Sequence, residues 1–330
     1  MSQTLDNQFQ EYFSKKRILI TGASGFIATN LIDSLKKVNC TIVRLSRNDS
    51  LQPINGVASI KDIHGDIRDE NIWIEALNGI DIIYNFAAQT SAYMAEDKPF
   101  DDFESNVLPM LRILEVCKNQ LYKPNIIFSG TVTETGMTKA VPVNEDRQDN
   151  PITLYDLHKL MAENYLKYYS GKGIVKGVIL RLPNVYGPGP KSSSKDRGIL
   201  NLMIMRALSG KTLQVYGAGN QIRDYIYIDD VVCAFLAAAI KIEKTNGQHF
   251  VIGSGIGFSL SDSIYLIKER VLEKTGKQID IANTPPPSTS FLIEERDFIA
   301  DISRFTSCTG WQPKFSLHNG IDKTIDSYLT

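Results

Sequence analysis

One stretch limits the folds open to this chain more than any other. The apolar run Arg17-Ile18-Leu19-Ile20-Thr21 leads straight into Gly22-Ala23-Ser24-Gly25, and then into an amphipathic segment over residues 25–37. A short, uninterrupted apolar run suits a strand covered on both faces, and such strands build parallel sheets with helices on either side. The pattern repeats: residues 41–45, 80–86, 125–129 and 177–182 read as further strands. Residues around Trp73, 103–119 and 154–169 read as the helices between them.

This alternation predicts an α/β fold, a Rossmann-type doubly wound parallel sheet. The texture changes after Asn184. Gly187-Pro188-Gly189-Pro190 and residues 191–195 form a loop rich in Gly, Pro, Ser and Lys, and Pro285-Pro286-Pro287 marks a second irregular loop. We therefore expect a first domain over residues 1–185 and a smaller C-terminal, substrate-binding lobe over 186–330. Phe250-Val251-Ile252 is expected to return as a strand to the first sheet. A chain of 330 residues with 43% hydrophobic residues can fill a core of that size.

Charge and cysteine usage narrow the function. Lys plus Arg number 36 and Asp plus Glu 37, a net charge of −1, which argues against a nucleic-acid partner. Cys40, Cys117, Cys233 and Cys308 lie far apart with no CxxC pair, and the four histidines show no ligand spacing, so no metal site is expected. The polar N-terminus lacks a signal peptide's apolar core, and no apolar run reaches membrane-spanning length. A soluble cytoplasmic protein without a membrane partner is the expectation.

The Gly22–Ala28 turn carries the first chemistry. Glycines at a strand-to-helix turn let the backbone approach a pyrophosphate, and the helix N-terminus offers N–H groups and a positive dipole end. Gly22, Ser24, Gly25, Phe26 and Ile27 are thus candidate dinucleotide contacts, and Ala28 allows close helix–strand packing. An acidic residue usually ends the second strand of an NAD site; here Leu45-Ser46-Arg47-Asn48 stands instead. Ser46 and Arg47 suit a ribose phosphate, which tilts the expected cofactor toward NADP over NAD. Arg47 also reads as an ordinary solvated arginine, and Asp49 as a displaced acid.

Tyr155 and Lys159 stand four residues apart on one face of a helix. A nearby ammonium favours the tyrosinate, making Tyr155 a candidate acid/base for an alcohol–ketone interconversion. The strand before that helix ends in Phe128-Ser129-Gly130-Thr131-Val132-Thr133-Glu134. A hydroxyl at a strand's C-terminal end faces ligand in an open α/β sheet. Thr131 is the candidate, with Ser129 and Thr133 as rivals.

Together the Gly22–Ala28 turn, the Thr131 segment and Tyr155-xxx-Lys159 resemble the extended short-chain dehydrogenase/reductases. More closely, the chain resembles the NAD-dependent epimerase/dehydratase group acting on nucleotide sugars. Gly65-Asp66-Ile67-Arg68-Asp69, Asn85-Phe86-Ala87-Ala88-Gln89, Asn106-Val107, Leu182-Pro183-Asn184-Val185-Tyr186-Gly187-Pro188, Asn201-Leu202, Arg223-Asp224-Tyr225 and Gly310-Trp311-Gln312-Pro313 fit as well. The resemblance implies that Tyr155 is the acid/base, that Lys159 holds the ribose and tunes Tyr155, and that Thr131 orients the reacting hydroxyl. It implies that Asp66, with Ile67, contacts adenine, and that Ala87, Ala88 and Pro183 border the cofactor. It implies substrate contacts at Gln89, Asn184 and Asn201, and a diphosphate contact at Arg223, with Arg296 in the same role.

The family's 4,6-dehydratases carry Glu two residues after the Thr131-equivalent hydroxyl. This chain has Val132 and Thr133 there, with Glu134 one residue further on, which argues against a dehydratase. An epimerase acting at a ring carbon, C4 by analogy, leads, because residues 87–106 look epimerase-like. The alternative is an NADPH-dependent reductase of a nucleotide-linked 4-keto-6-deoxy sugar, which Arg47 favours. A non-catalytic dinucleotide-binding regulator on the same fold is a third reading. The family's usual homodimer would pair the helices over 103–119 and 154–169.

Overall fold

The computed structural model describes residues 3–48, 51–119, 123–190, 198–285 and 292–330. Its centre is a seven-stranded parallel sheet in the order β10-β6-β5-β4-β1-β2-β3. Its strands are β1 (Arg17–Thr21), β2 (Thr41–Ser46), β3 (Ser59–His64), β4 (Ile82–Asn85), β5 (Asn125–Thr131), β6 (Lys176–Leu182) and β10 (Gln248–Val251). Side chains alternate across the sheet, so each apolar run feeds two cores. Ile18, Ile20, Ile42, Tyr84, Ile127 and Leu180 face one side, and Leu19, Val43, Ile83, Ile126, Phe128 and Ile179 the other. This is why the central strands read as continuous rather than alternating.

The expected return of residues 250–252 is borne out: β10 pairs in parallel with β6, with Phe250 opposite Leu180. The expected helix over 103–119 is two helices, Pro99–Asn106 and Leu108–Lys118. Pro109 enters the second one in its first turn, where its missing N–H costs nothing, and Val107 makes the break. Two elements gave little signal. The N-terminal helix Gln3–Phe13 has polar residues at most of its positions, and edge strand β3 buries only Ile63.

β7 (Asn184–Tyr186), β9 (Ile222–Tyr227) and β11 (Gly257–Ser259) form a three-stranded sheet, and β8 (Leu213–Tyr216) pairs with β12 (Ile281–Thr284). Residues 191–195, with Asp49, Pro286 and Pro287, lie outside the described residues. Among the described residues no helix is long and apolar enough to cross a membrane.

Candidate active site

The site begins where β1 and β4 end side by side. The Thr21 hydroxyl donates to Asn85 Oδ1 at 2.7 Å and accepts the N–H groups of Phe86 and Ala87 at 3.0 Å each. This draws the loop after β4 onto the turn after β1. Gly22 has φ +63°, and a Cβ there would stand 3.0 Å from the Ala87 backbone. Gly25 then caps the helix Phe26–Leu35 without a side-chain bond, so no N-cap side chain takes up its first-turn N–H groups. Ala28 is buried against the sheet. A close, side-chain-free approach ending on an uncapped helix N-terminus is what a dinucleotide pyrophosphate fits.

Ser46, at the end of β2, lies 3.2 Å from Ser24 across their hydroxyls and accepts the Asn48 N–H at 3.0 Å. The Arg47 side chain is 74% exposed, with its guanidinium 3.9 Å from Asp66. Arg68 grips the same Asp66 carboxylate at 2.8 and 3.1 Å and holds its pKa below the usual range. The Ile67 carbonyl accepts the Trp73 indole N–H at 3.0 Å, which fixes this segment under the end of β2.

The three catalytic candidates stand at the C-terminal edge of the sheet. β5 extends two residues past its expected end, so that Thr131 is its last residue. Thr153 caps the helix Leu154–Gly171, which places Tyr155 in the first turn. Thr131, Tyr155 and Lys159 are all buried. The Lys159 ammonium donates to the Ser129 carbonyl at 2.6 Å and lies 4.0 Å from the centre of the Phe128 ring. Ser129 therefore anchors Lys159 through its backbone. The Thr133 hydroxyl donates to Asp156, leaving Thr131 as the hydroxyl at the strand's end.

The substrate candidates are spread around this edge. Asn184 opens β7 opposite Tyr225 of β9, one residue after Pro183. The Asn201 amide bonds both the N–H and the carbonyl of Gly187, at 3.0 and 2.9 Å, and so holds the loop after β7. Gln89 turns its amide inward, to Asp102 at 2.6 Å and the Ser91 carbonyl at 2.8 Å. Arg223 is buried and donates to the carbonyls of Ile222, Glu294 and Arg296, while Arg296 donates to that of Ile293 at 2.9 Å. Arg223, from β9, thus meets Arg296 at the loop that follows residue 292.

A profile of the NAD dependent epimerase/dehydratase family matches residues 18–253. The chain belongs to that family. A putative UDP-glucose 4-epimerase of Methanocaldococcus jannaschii is 28% identical over 94% of this chain and 97% of its own length. UDP-glucose 4-epimerase of Mycolicibacterium smegmatis is 28% identical over 94% of this chain and 98% of its own. The crystal structure of the Thermotoga maritima UDP-glucose 4-epimerase with UDP-glucose matches with a TM-score of 0.84 at 29% identity, over 95% of this chain and 98% of that one.

Within this epimerase/dehydratase framework Glu134 is engaged by the Thr131 backbone and by Arg181. It is fully buried: one carboxyl oxygen accepts the Thr131 N–H at 3.0 Å and the other lies 3.1 Å from Arg181. Arg181 also binds Glu163 at 2.7 and 2.9 Å and Asp149 at 2.5 and 2.9 Å. Burial, and then the Glu163 charge, push Glu134 well above the carboxylate range. Burial opposes ionisation of Glu163 too, but Arg181 overcomes it and holds that carboxyl at about 2. Sequence reasoning missed this cluster, because its members come from the short helical turn after β5, from β6, from the loop at Asp149 and from the Tyr155 helix. It also missed the Asp102 partner of His158, 2.6 Å from the ring, which ties the Tyr155 helix to the helix Pro99–Asn106.

Proposed function

We propose that this chain is an NAD(P)-dependent nucleotide-sugar epimerase that oxidises and re-reduces one ring carbon, C4 by analogy with the UDP-glucose 4-epimerases it resembles. The observation that carries the proposal is the placement of Thr131, Tyr155 and Lys159 on one edge of the sheet that also bears the Gly22–Ala87 approach and the uncapped helix. A dinucleotide bound there supplies a hydride acceptor and donor. Tyr155 takes the proton from the sugar hydroxyl and returns it. Lys159, fixed by the Ser129 carbonyl, holds the ribose and favours the tyrosinate. Thr131 orients the hydroxyl, and Arg223 with Arg296 receives the diphosphate once the loop at 292–296 opens.

The family description and the UDP-glucose relatives favour NAD. Ser46 and the exposed Arg47 favour NADP, and with it the second reading, a reductase of a nucleotide-linked 4-keto-6-deoxy sugar. A dehydratase is not supported, because Glu134 is spent on Arg181 and the Thr131 N–H. We place the enzyme in the cytoplasm as a homodimer, joined through the helices Leu108–Lys118 and Leu154–Gly171, where Leu157 and Tyr168 are exposed. Light scattering that returns a monomer mass refutes the dimer.

The first experiment denatures the purified protein, identifies any released dinucleotide by mass, and offers the native protein UDP-glucose. Stoichiometric dinucleotide and UDP-galactose as product support the epimerase. An empty protein that consumes NADPH with a 4-keto sugar nucleotide makes it a reductase.

A further inference from the structure

One fully buried carboxylate joins two sides of the reacting edge. Asp102 lies in the helix Pro99–Asn106. Its Oδ1 accepts the side-chain amide of Gln89 at 2.6 Å and that of Asn106 at 2.9 Å. Its Oδ2 lies 2.6 Å from His158 Nδ1. A hydrogen bond there needs one proton between the two atoms, and it joins them whichever one carries it. Gln89 is held twice more: its Nε2 donates to the Ser91 carbonyl at 2.8 Å, and its own carbonyl accepts the Asn106 amide at 3.0 Å.

Each arm of Asp102 ends beside the proposed chemistry. Gln89 follows Ala87 and Ala88, on the cofactor side. His158 stands between Tyr155 and Lys159 on the helix Leu154–Gly171. Glu96, in the helix Ala92–Asp97, accepts the Leu154 N–H at 2.9 Å, so the Tyr155 helix is held on both sides of Tyr155. Oxidising a ring carbon takes a hydride from the carbon and a proton from the oxygen on it. The two acceptors must therefore face one C–O unit at a fixed spacing, and an error of about 1 Å costs about a hundredfold in rate. Binding makes no such demand, because the proposed anchors, the Gly22 turn and Arg223, lie outside this cluster.

We propose that Asp102 is a positioning residue that sets the spacing between the dinucleotide and Tyr155, through Gln89 on one side and His158 on the other. The inference rests on the reading of Tyr155 as the acid/base of a nucleotide-sugar epimerase. Its consequence is a split: cutting either arm slows the chemical step and leaves both ligands bound as before.

The test cuts one arm at a time. His158→Phe keeps a ring of similar size and removes the bond to Asp102, which retains both amides. His158→Asn puts an amide N–H where Nδ1 stood and restores the bond. Turnover of UDP-glucose to UDP-galactose is measured on dinucleotide-loaded protein, and the affinities for NAD, NADP and UDP-glucose by calorimetry. His158→Phe should lose about ten- to a hundredfold in kcat, with every affinity within about twofold of wild type. His158→Asn should keep kcat within about threefold of wild type. Gln89→Met cuts the other arm and should give the same split; it serves alone should His158→Phe fail to fold. With both arms cut, the second substitution should add less than about threefold, because elements already parted lose little by a second break. Unchanged kcat in either folded single variant overturns the inference alone. So do losses that multiply in the double variant, equal losses in His158→Phe and His158→Asn, or weakened binding that accounts for the fall in rate. Wild-type protein that leaves UDP-glucose unconverted overturns the epimerase reading, and the inference with it.

Discussion

Gly22 and Ala87 meet backbone to backbone: a Cβ on Gly22 would stand 3.0 Å from both the N and the Cα of Ala87. Any side chain at 22 must push apart two loops that the Thr21 hydroxyl holds together, and it must also take up φ +63°. Such strain costs about 1–3 kcal/mol. Gly22→Val is therefore expected to weaken dinucleotide binding by at least about tenfold while the far-ultraviolet spectrum stays native. Fluorescence titration with NAD and NADP checks this. Unchanged affinity would mean that the dinucleotide does not cross this turn.

Tyr155→Phe removes the proposed acid/base but keeps the ring in its buried place. Turnover of UDP-glucose should fall by about 10²–10⁴-fold, the usual worth of a positioned proton donor, with the sugar nucleotide still bound. Rapid-quench kinetics and calorimetry on the same preparation separate the two effects. If the protein were a non-catalytic regulator, its biological activity would survive this substitution intact.

The residues that act on neighbours close in sequence were legible before the fold was known. The Gly22–Ala28 turn follows its strand directly, and Tyr155 and Lys159 share a helix turn, so local spacing carries both. The strands of the central sheet were legible for the same reason, since burial on two faces leaves an uninterrupted apolar run. Edge strand β3 has one solvated side and only Ile63 buried, so its run of Ser59-Ile60-Lys61-Asp62 looks like a loop. The Arg181 cluster and the Asp102–His158 pair were illegible, because their partners lie 18 to 56 residues apart in the chain and meet only through the topology. The inward turn of Gln89 was hidden likewise, since Asp102, which takes its amide, sits on another element.

The proposed role of the Ser46–Arg47 pair is to decide between two cofactors that differ by one phosphate. The Arg47 guanidinium is 3.9 Å from Asp66 and mostly in solvent, so it can swing to an incoming phosphate without breaking a buried bond. A hydrogen-bonded charge pair of this kind is worth about 1.5–3 kcal/mol. Arg47→Glu should therefore shift the ratio of NADP to NAD affinity about ten- to a hundredfold toward NAD. Equal ratios in wild type and variant would leave Arg47 as a solvated surface residue.

Arg181 carries the charge balance of the interior, facing Glu134, Glu163 and Asp149 at 1% side-chain exposure. Removing one partner of a buried ionic group strands the others, at a cost of about 3–5 kcal/mol. Arg181→Met should lower the unfolding free energy measured by urea titration by that amount. Glu134→Gln should cost far less, within about 1 kcal/mol, because burial pushes the Glu134 carboxyl toward its neutral form and an amide oxygen still accepts the Thr131 N–H. A large loss from Glu134→Gln would show that Glu134 is ionised in the fold.

His249 gives the same cluster a pH signature. Burial, and then the positive charge of Arg181, depress its pKa to about 4, and Lys167 donates to its Nδ1 at 2.7 Å, which requires that nitrogen to be unprotonated. A group whose folded pKa lies below its unfolded value of about 6.5 binds its proton more readily in the unfolded chain. The stability this represents is fully present above about pH 6.5, and it drains away as the pH falls toward about 4, by about 3 kcal/mol in all. Glu134 is shifted the opposite way, so the wild-type curve alone mixes the two contributions. The difference between wild type and His249→Gln isolates the imidazole, because glutamine still accepts from Lys167 but does not titrate. Urea unfolding of both proteins at several values across that window should show the wild type losing ground to the variant as the pH falls. Parallel curves would mean that His249 has the same pKa in the folded and unfolded chain, so that neither burial nor Arg181 perturbs it.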